Sequence, residues 1–142
     1  MKSYPVVLIT LNDYDNLGVG YVASVLLKEG FEVKVIDARK KKYNVLKTLK
    51  TNYPILVGFS VIFLNHIKIF SDLIDYLRKG GIKCHFTAGG HYASLKYSDL
   101  FEIIPQLDSI VMFEGEFTLL ELVKCIHSDS EWKKTNGIIF KE

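Results

Sequence analysis

The sequence predicts an α/β fold: a doubly wound, five-stranded parallel sheet of the flavodoxin or Rossmann-like kind, with helices on both faces. Three observations carry that expectation. Short runs rich in β-branched and aliphatic residues recur five times, each followed by apolar residues at helical spacing. The first and third runs are nearly continuous in apolar character, as strands buried on both faces are, whereas residues 31–37 alternate partly. Glycines and polar residues gather just after the runs, where a parallel sheet places its ligand-side loops.

Residues 6–11, Val-Val-Leu-Ile-Thr-Leu, read as the first strand. Residues 18–29 repeat Val22, Val25 and Leu26 at helical spacing, and Gly30 closes that helix. Residues 31–37 form the second strand, 43–50 a short helix with Val45, Leu46 and Leu49, and 55–61 the third strand after Pro54. Residues 65–79 carry Ile69, Leu73 and Leu77 and stop at Gly80-Gly81. A fourth strand spans 82–88 and ends at Gly89-Gly90. A short helix at 97–104, a fifth strand at 108–113 and a helix at 117–126 complete the alternation, and residues 137–140 offer a sixth strand.

The 142 residues amount to one domain. With 49% hydrophobic and 24% charged residues, the chain has the apolar content to bury a core. The net charge of +2 gives no reason to expect nucleic acid or an anionic membrane as partner. The basic run Arg39-Lys40-Lys41-Lys42 reads as a solvated loop. Cys84 and Cys125 have no CxxC partner and read as buried thiols in a reducing compartment. Residues 1–5 lead straight into a strand, and the apolar runs fall well short of the roughly 18–20 residues a membrane span needs. The expected location is the cytoplasm.

In doubly wound folds ligands bind beyond the carboxyl ends of the strands, at the switch point of strand order. Here that rule selects residues 11–17, 60–64, 89–94 and 114–116. Gly18-Val19-Gly20-Tyr21-Val22-Ala23 fits the dinucleotide pattern G-x-G-x-x-A, with Asp37 ending the second strand. However, residues 12–17 separate the first strand from Gly18, and the carboxylates of Asp13 and Asp15 would repel a pyrophosphate. On the simpler reading, Gly18 and Gly20 only allow close helix–sheet packing. A phospho-receiver would need a third acid where Ser60 stands and a lysine where Glu114 stands, and a flavodoxin site would need a Ser/Thr-rich first loop. Asp15 or Asn16 can also serve simply as a helix cap, worth about 1 kcal/mol.

Taken together, the loops hold a pattern that none holds alone. Asp13-Tyr14-Asp15-Asn16-Leu17-Gly18 is D-x-D-x-x-G, residues 19–59 follow as 41 positions, and Ser60-Val61-Ile62 is S-x-I. Residues 63–88 follow as 26 positions, and then Gly89-Gly90. This resembles the D-x-H-x-x-G, S-x-L, G-G signature of cobalamin-binding domains of the methionine synthase and mutase type. Leu17-Gly18-Val19-Gly20-Tyr21, Gly30-Phe31-Glu32-Val33, Val57-Gly58-Phe59-Ser60, Gly89-Gly90-His91 and Glu114-Gly115-Glu116-Phe117-Thr118 are similar to one branch, the N-terminal domain of cobalamin-dependent radical SAM enzymes.

The resemblance implies a cobalamin-binding domain over residues 1–130, with residues 131–142 starting a linker toward a radical SAM barrel in cis. It implies a cofactor site made of Asp13, Tyr14, Asp15, Asn16, Leu17, Gly18, Ser60, Ile62, Gly89, Gly90, His91, Glu114, Gly115 and Glu116. In the base-off mode the nucleotide tail would enter the crevice past Gly89-Gly90, Ser60 would hydrogen-bond its base, Ile62 would pack against it, and Gly18 would turn the loop beneath the corrin. The family's cobalt-ligating histidine is replaced by Asp15, so no protein metal ligand is expected, and the lower face would be free, water-bound or loosely met by Tyr14 or Asp15. No C-x-x-x-C-x-x-C motif occurs here. An iron–sulfur cluster and S-adenosylmethionine would therefore belong to the downstream domain. The chain alone would bind without turnover, inside a methyltransferase-like or ring-forming enzyme. A cofactor-free docking domain and a dinucleotide or flavin binder stand as alternatives.

Overall fold

A computed structural model describes residues 4–11, 17–112 and 115–141, apart from the side chain of Leu17. Its elements run β1 (Val6–Thr10), α1 (Leu17–Lys28), β2 (Val33–Asp37), α2 (Lys42–Asn52), β3 (Leu56–Ser60), α3 (Ile67–Lys79), β4 (His85–Gly89), α4 (His91–Leu95), α5 (Tyr97–Ile103), β5 (Ser109–Val111), α6 (Glu116–His127) and β6 (Ile138–Ile139). The strands form one sheet in the order β2-β1-β3-β4-β5-β6. The chain leaves β1 toward β2 on one side and continues from β3 on the other. The switch point therefore lies between β1 and β3.

The expected five parallel strands are present, with two departures. The sheet has six strands, because β6 adds antiparallel to β5 through Ile110–Ile139 and Val111–Ile138. Residues 89–94, expected as a loop, contain most of the helix α4. Gly90 turns the chain with φ 109°, and Ala93 N–H then donates to the Val61 carbonyl. That contact to the residue after β3 lets so short a helix form.

The sheet's two faces are built differently. One carries Val7, Ile9, Val57, Phe59, Phe86, Ala88 and Ile110 against α2, α3 and α5. Helix α3 buries Ile67, Phe70, Leu73, Ile74 and Leu77, an i, i+3, i+4 stripe, and each such side chain stabilises the fold by roughly 1.5–3 kcal/mol. Phe59 meets Phe70 and Phe86 edge-on with ring centroids 6.1 and 5.2 Å apart. Arg78, from the end of α3, closes the sheet's lower edge. Its guanidinium lies 3.6 Å over the Phe86 ring and donates to the carbonyls of Ile82, Cys84 and Gln106 and to Asp108 Oδ2. Burial pushes the nearby Cys84 thiol up to about 11.

The opposite face carries α1 and α6 side by side, joined by the Lys124–Glu29 pair at 3.4 Å. Its strand residues shrink toward the carboxyl edge. Val6 and Leu56 are large, and next come Leu8, Gly58, Thr87 and Ser109 in register. Ser60 opposite Gly89 forms the last row. A parallel sheet alternates its side chains, so these small residues share one face and leave volume under the helices. No helix among the described residues is long and apolar enough to cross a membrane.

Candidate cofactor site

That volume is a cavity of about 680 Å³ at the carboxyl edge of the sheet. Its floor is Leu8, Gly58 and Thr87. Gly18, Val19, Tyr21 and Val22 of α1 form one wall, and Gly115, Glu116 and Leu119 at the start of α6 form another. Ser60, Ile62, Gly89, Gly90, His91 and Ser94 line it from the ends of β3 and β4. The size falls within the roughly 300–1,000 Å³ typical of small-molecule sites.

The two neighbouring glycines play different parts. A Cβ on Gly90 would lie 2.8 Å from the Val61 carbonyl oxygen and 3.1 Å from its carbon. Gly90 is therefore demanded by the protein's own backbone, besides its positive φ. A Cβ on Gly89 would meet nothing closer than the Val111 carbonyl oxygen at 3.8 Å. The fold tolerates a side chain there, so the space above Gly89 is open to a ligand.

Below the floor, His85 Nε2 and Ser109 Oγ are 2.8 Å apart, and Ser109 Oγ donates to Thr87 Oγ1 at 2.7 Å. Burial lowers His85 to about 4, and Trp132 lies edge-on to its ring at 4.5 Å. Among the described residues no group of three His, Cys, Asp or Glu side chains forms a metal site.

Of the residues expected from the sequence, Gly18, Ser60, Ile62, Gly89, Gly90, His91, Gly115 and Glu116 come together on this cavity. Leu17 opens α1. Asp13, Tyr14, Asp15, Asn16 and Glu114 lie outside the described residues. Gly18 is the second residue of α1, so it cannot be the loop-turning glycine, nor the turn out of β1 that a dinucleotide motif requires. Gly20 is exposed, with nothing within 4 Å of a Cβ, so close helix–sheet packing does not explain it. Asp37, which would bind the ribose of a dinucleotide, is taken by Arg39, whose Nη2 sits 2.8 Å from Oδ2 and holds the carboxyl below its ordinary range.

Gly58, Thr87, Val19, Tyr21 and Leu119 were not anticipated. Gly58 and Thr87 precede Ser60 and Gly89 by two residues, so strand alternation alone places them on the same face.

The profile of the B12 binding domain matches residues 5–123. The chain belongs to the B12-binding domain family. It is 26% identical to cytidylyl-2-hydroxyethylphosphonate methyltransferase of Streptomyces wedmorensis in an alignment 152 positions long, gaps included, that covers 89% of this chain and 27% of that enzyme. It is 29% identical to 4'-phospho-dehydrooxetanocin synthase of Priestia megaterium over 132 residues, covering 88% of this chain and 18% of that protein. The chain thus spans about a quarter or less of the length of these relatives. Among solved structures, the apo form of OxsB, a cobalamin-dependent S-adenosylmethionine radical enzyme, superposes with a TM-score of 0.80 at 26% identity, over 99% of this chain and 21% of that one. A cobalamin-binding protein from Desulfitobacterium hafniense shares the fold, with a TM-score of 0.69 at 17% identity over 92% of this chain and 59% of that one. The resemblance to the family, and to its radical SAM branch, is borne out.

Proposed function

We propose that this domain holds a cobalamin-type corrinoid base-off, with its nucleotide tail in the cavity between α1 and α6 and its ring at the carboxyl edge of the sheet. The observation that carries this reading is the empty space above Gly89, at the switch point, in a chain of the B12-binding family. The tail is slender and ends in a flat aromatic base. A mostly apolar cavity floored by Gly58 and Leu8 suits it, with Ser60 and Ile62 in its lining. His91 and Glu116 line the same cavity and would partner the polar amides of a corrin rim. Asp15 stands where the family's ligating histidine belongs, which supports a lower face without protein imidazole. When bound, the group would supply methyl-transfer or radical chemistry at its cobalt. The residues here bind and orient it and keep water from its tail.

The cofactor's upper face would be presented to a radical SAM barrel in cis. That barrel would carry the iron–sulfur cluster and S-adenosylmethionine, in a longer protein of methyltransferase-like or ring-forming activity. The test is titration of the apo-protein with hydroxocobalamin. A bound, yellow-shifted base-off spectrum without histidine ligation is expected. Absence of binding would leave a cofactor-free docking domain, and a spectrum of histidine-ligated cobalt would refute the proposed lower face.

A further inference from the structure

Residues 131–140, expected to start a linker, fold back on the domain as a strap. Trp132 lies edge-on to His85 at 4.5 Å and to Phe140 at 5.6 Å, so the two ends of the strap meet at the amino end of the sheet. Between them the chain runs back along α6, where Thr135 Oγ1 donates to Cys125 Sγ at 3.9 Å. It turns at Asn136-Gly137 and descends as β6 on β5. Gly137, with φ 86°, is the top of the strap.

That turn grips one wall of the cavity from two sides. Val111, Gly115, Glu116 and Leu119 line the cavity, and all four lie between the end of β5 and the first turn of α6. On the β5 side, the Gly137 carbonyl accepts Met112 N–H at 2.9 Å, and Ile138 pairs with Val111. On the α6 side, Thr118 packs so closely that a Cβ on Gly137 would lie 2.7 Å from Thr118 Oγ1 and 3.2 Å from its Cγ2. The start of α6 is the softer partner in this contact. Its N-cap is Gly115, which brings no side-chain hydrogen bond, and the Leu119 N–H to Gly115 carbonyl bond at 2.7 Å closes its first turn. The strap is held by β5, by Cys125 and by the rings at its base.

We infer that Gly137 is a positioning residue for the cofactor cavity: residues 131–140 belong to the domain, and the turn of the strap sets where the first turn of α6, with Glu116 and Leu119, stands as the cavity wall. The inference rests on the corrinoid reading above for what the cavity holds, but not for how the wall is held. A side chain at residue 137 presses on Thr118 and shifts that first turn. Changes that act on a ligand through one packed neighbour alter affinity by about 3- to 10-fold.

Gly137→Ala combines two perturbations, strain at a positive φ and pressure on Thr118. Gly81→Ala supplies the strain alone, because Gly81 has φ 97°, lies in the turn before β4 and has nothing within 4 Å of a Cβ. Two quantities are measured for each: the hydroxocobalamin dissociation constant by visible titration, and hydrogen exchange of the Leu119 amide in the apo chain. Gly137→Ala is expected to weaken binding by about 3- to 10-fold and to speed Leu119 exchange beyond any change in Gly81→Ala, whose affinity stays within a factor of about two of the parent. Thr118→Ala leaves its Cβ, 3.6 Å away, as the nearest atom, so adding it to Gly137→Ala is expected to restore both quantities to within a factor of about two of Thr118→Ala alone. Thr118→Ile enlarges the same contact from the α6 side without backbone strain and is expected to act as Gly137→Ala does, which keeps the test intact if Gly137→Ala does not fold. Equal effects of Gly137→Ala and Gly81→Ala overturn the inference, and so does an effect that persists with Thr118→Ala. Failure of the unsubstituted chain to bind hydroxocobalamin overturns the corrinoid reading, and Leu119 exchange then decides the inference by itself.

Discussion

Alanine at Gly90 and alanine at Gly89 should have opposite consequences. At Gly90 the backbone has φ 109°, where an L side chain is strained by roughly 1–3 kcal/mol. The new Cβ would also press on the Val61 carbonyl, 2.8 Å from its oxygen. Val61 cannot easily retreat. Its N–H donates to the Gly89 carbonyl at 2.8 Å, and its carbonyl accepts from Ala93 N–H at 3.3 Å. Moving it costs one or both of these bonds, at about 1 kcal/mol each. The total for Gly90→Ala is about 3 kcal/mol, or about 1–2 M in the urea midpoint, read by circular dichroism. Gly89→Ala meets nothing under 3.8 Å and should stay within about 1 kcal/mol of the parent. Its methyl group enters the ligand's space instead, and hydroxocobalamin affinity should fall by at least about tenfold. Equal loss of stability in the two variants, or a Gly89→Ala domain that binds as before, would refute this division of labour.

Two further outcomes follow from the lower half of the sheet. His85 takes up a proton near 6.5 when unfolded and only near 4 when folded, so the unfolded chain binds the proton first. Its contribution is complete above about pH 7 and is lost as the pH falls from 6.5 to 4, by on the order of 3 kcal/mol. Urea midpoints measured across that range should fall more steeply for the parent than for His85→Gln, which keeps an N–H for Ser109, and parallel curves would refute the attribution. Arg78→Met removes four hydrogen bonds and strips Asp108 of its cation, so a loss of about 3 kcal/mol is expected in the same assay. By contrast, Asp72→Ala breaks only the exposed Lys68–Asp72 pair and should shift stability by less than about 0.5 kcal/mol.

The strand–helix alternation was legible because most of its elements are long enough to show a period. Helix α3 buries five residues at helical spacing, and β1 and β3 are mostly apolar. Helix α4 was not legible. Its five residues are too few to show a period, and the helix depends on the carbonyl of Val61, which lies beyond the whole of α3 and β4 in sequence. Strand β6 was visible as an apolar pair, but nothing local to Ile138-Ile139 states its direction. That is decided by contacts such as Met112 N–H to the Gly137 carbonyl. The site followed the same division. Ser60, Gly89 and Gly90 were found by spacing along the chain; alternation puts Gly58 and Thr87 on their face, but only register sets Gly58 between Leu8 on one side and Thr87 on the other.

The contrast between the sheet's faces explains how one domain can be both stable and hollow. Large side chains from β1, β3 and β4 fill the face under α3, where Phe59, Phe70 and Phe86 interlock. On the other face the same strands present Gly58, Ser60, Thr87 and Gly89, and the lost burial is a cost the first face offsets. Alternation lets one strand serve both ends, because Phe59 and Phe86 point away from the cavity that Gly58, Ser60 and Thr87 open. The hollow lies at the carboxyl edge rather than mid-sheet because Val6 and Leu56 still fill that face near the amino edge. The cavity thus ends at the row of Leu8, Gly58 and Thr87, and the polar chain from Thr87 to His85 begins where the space ends.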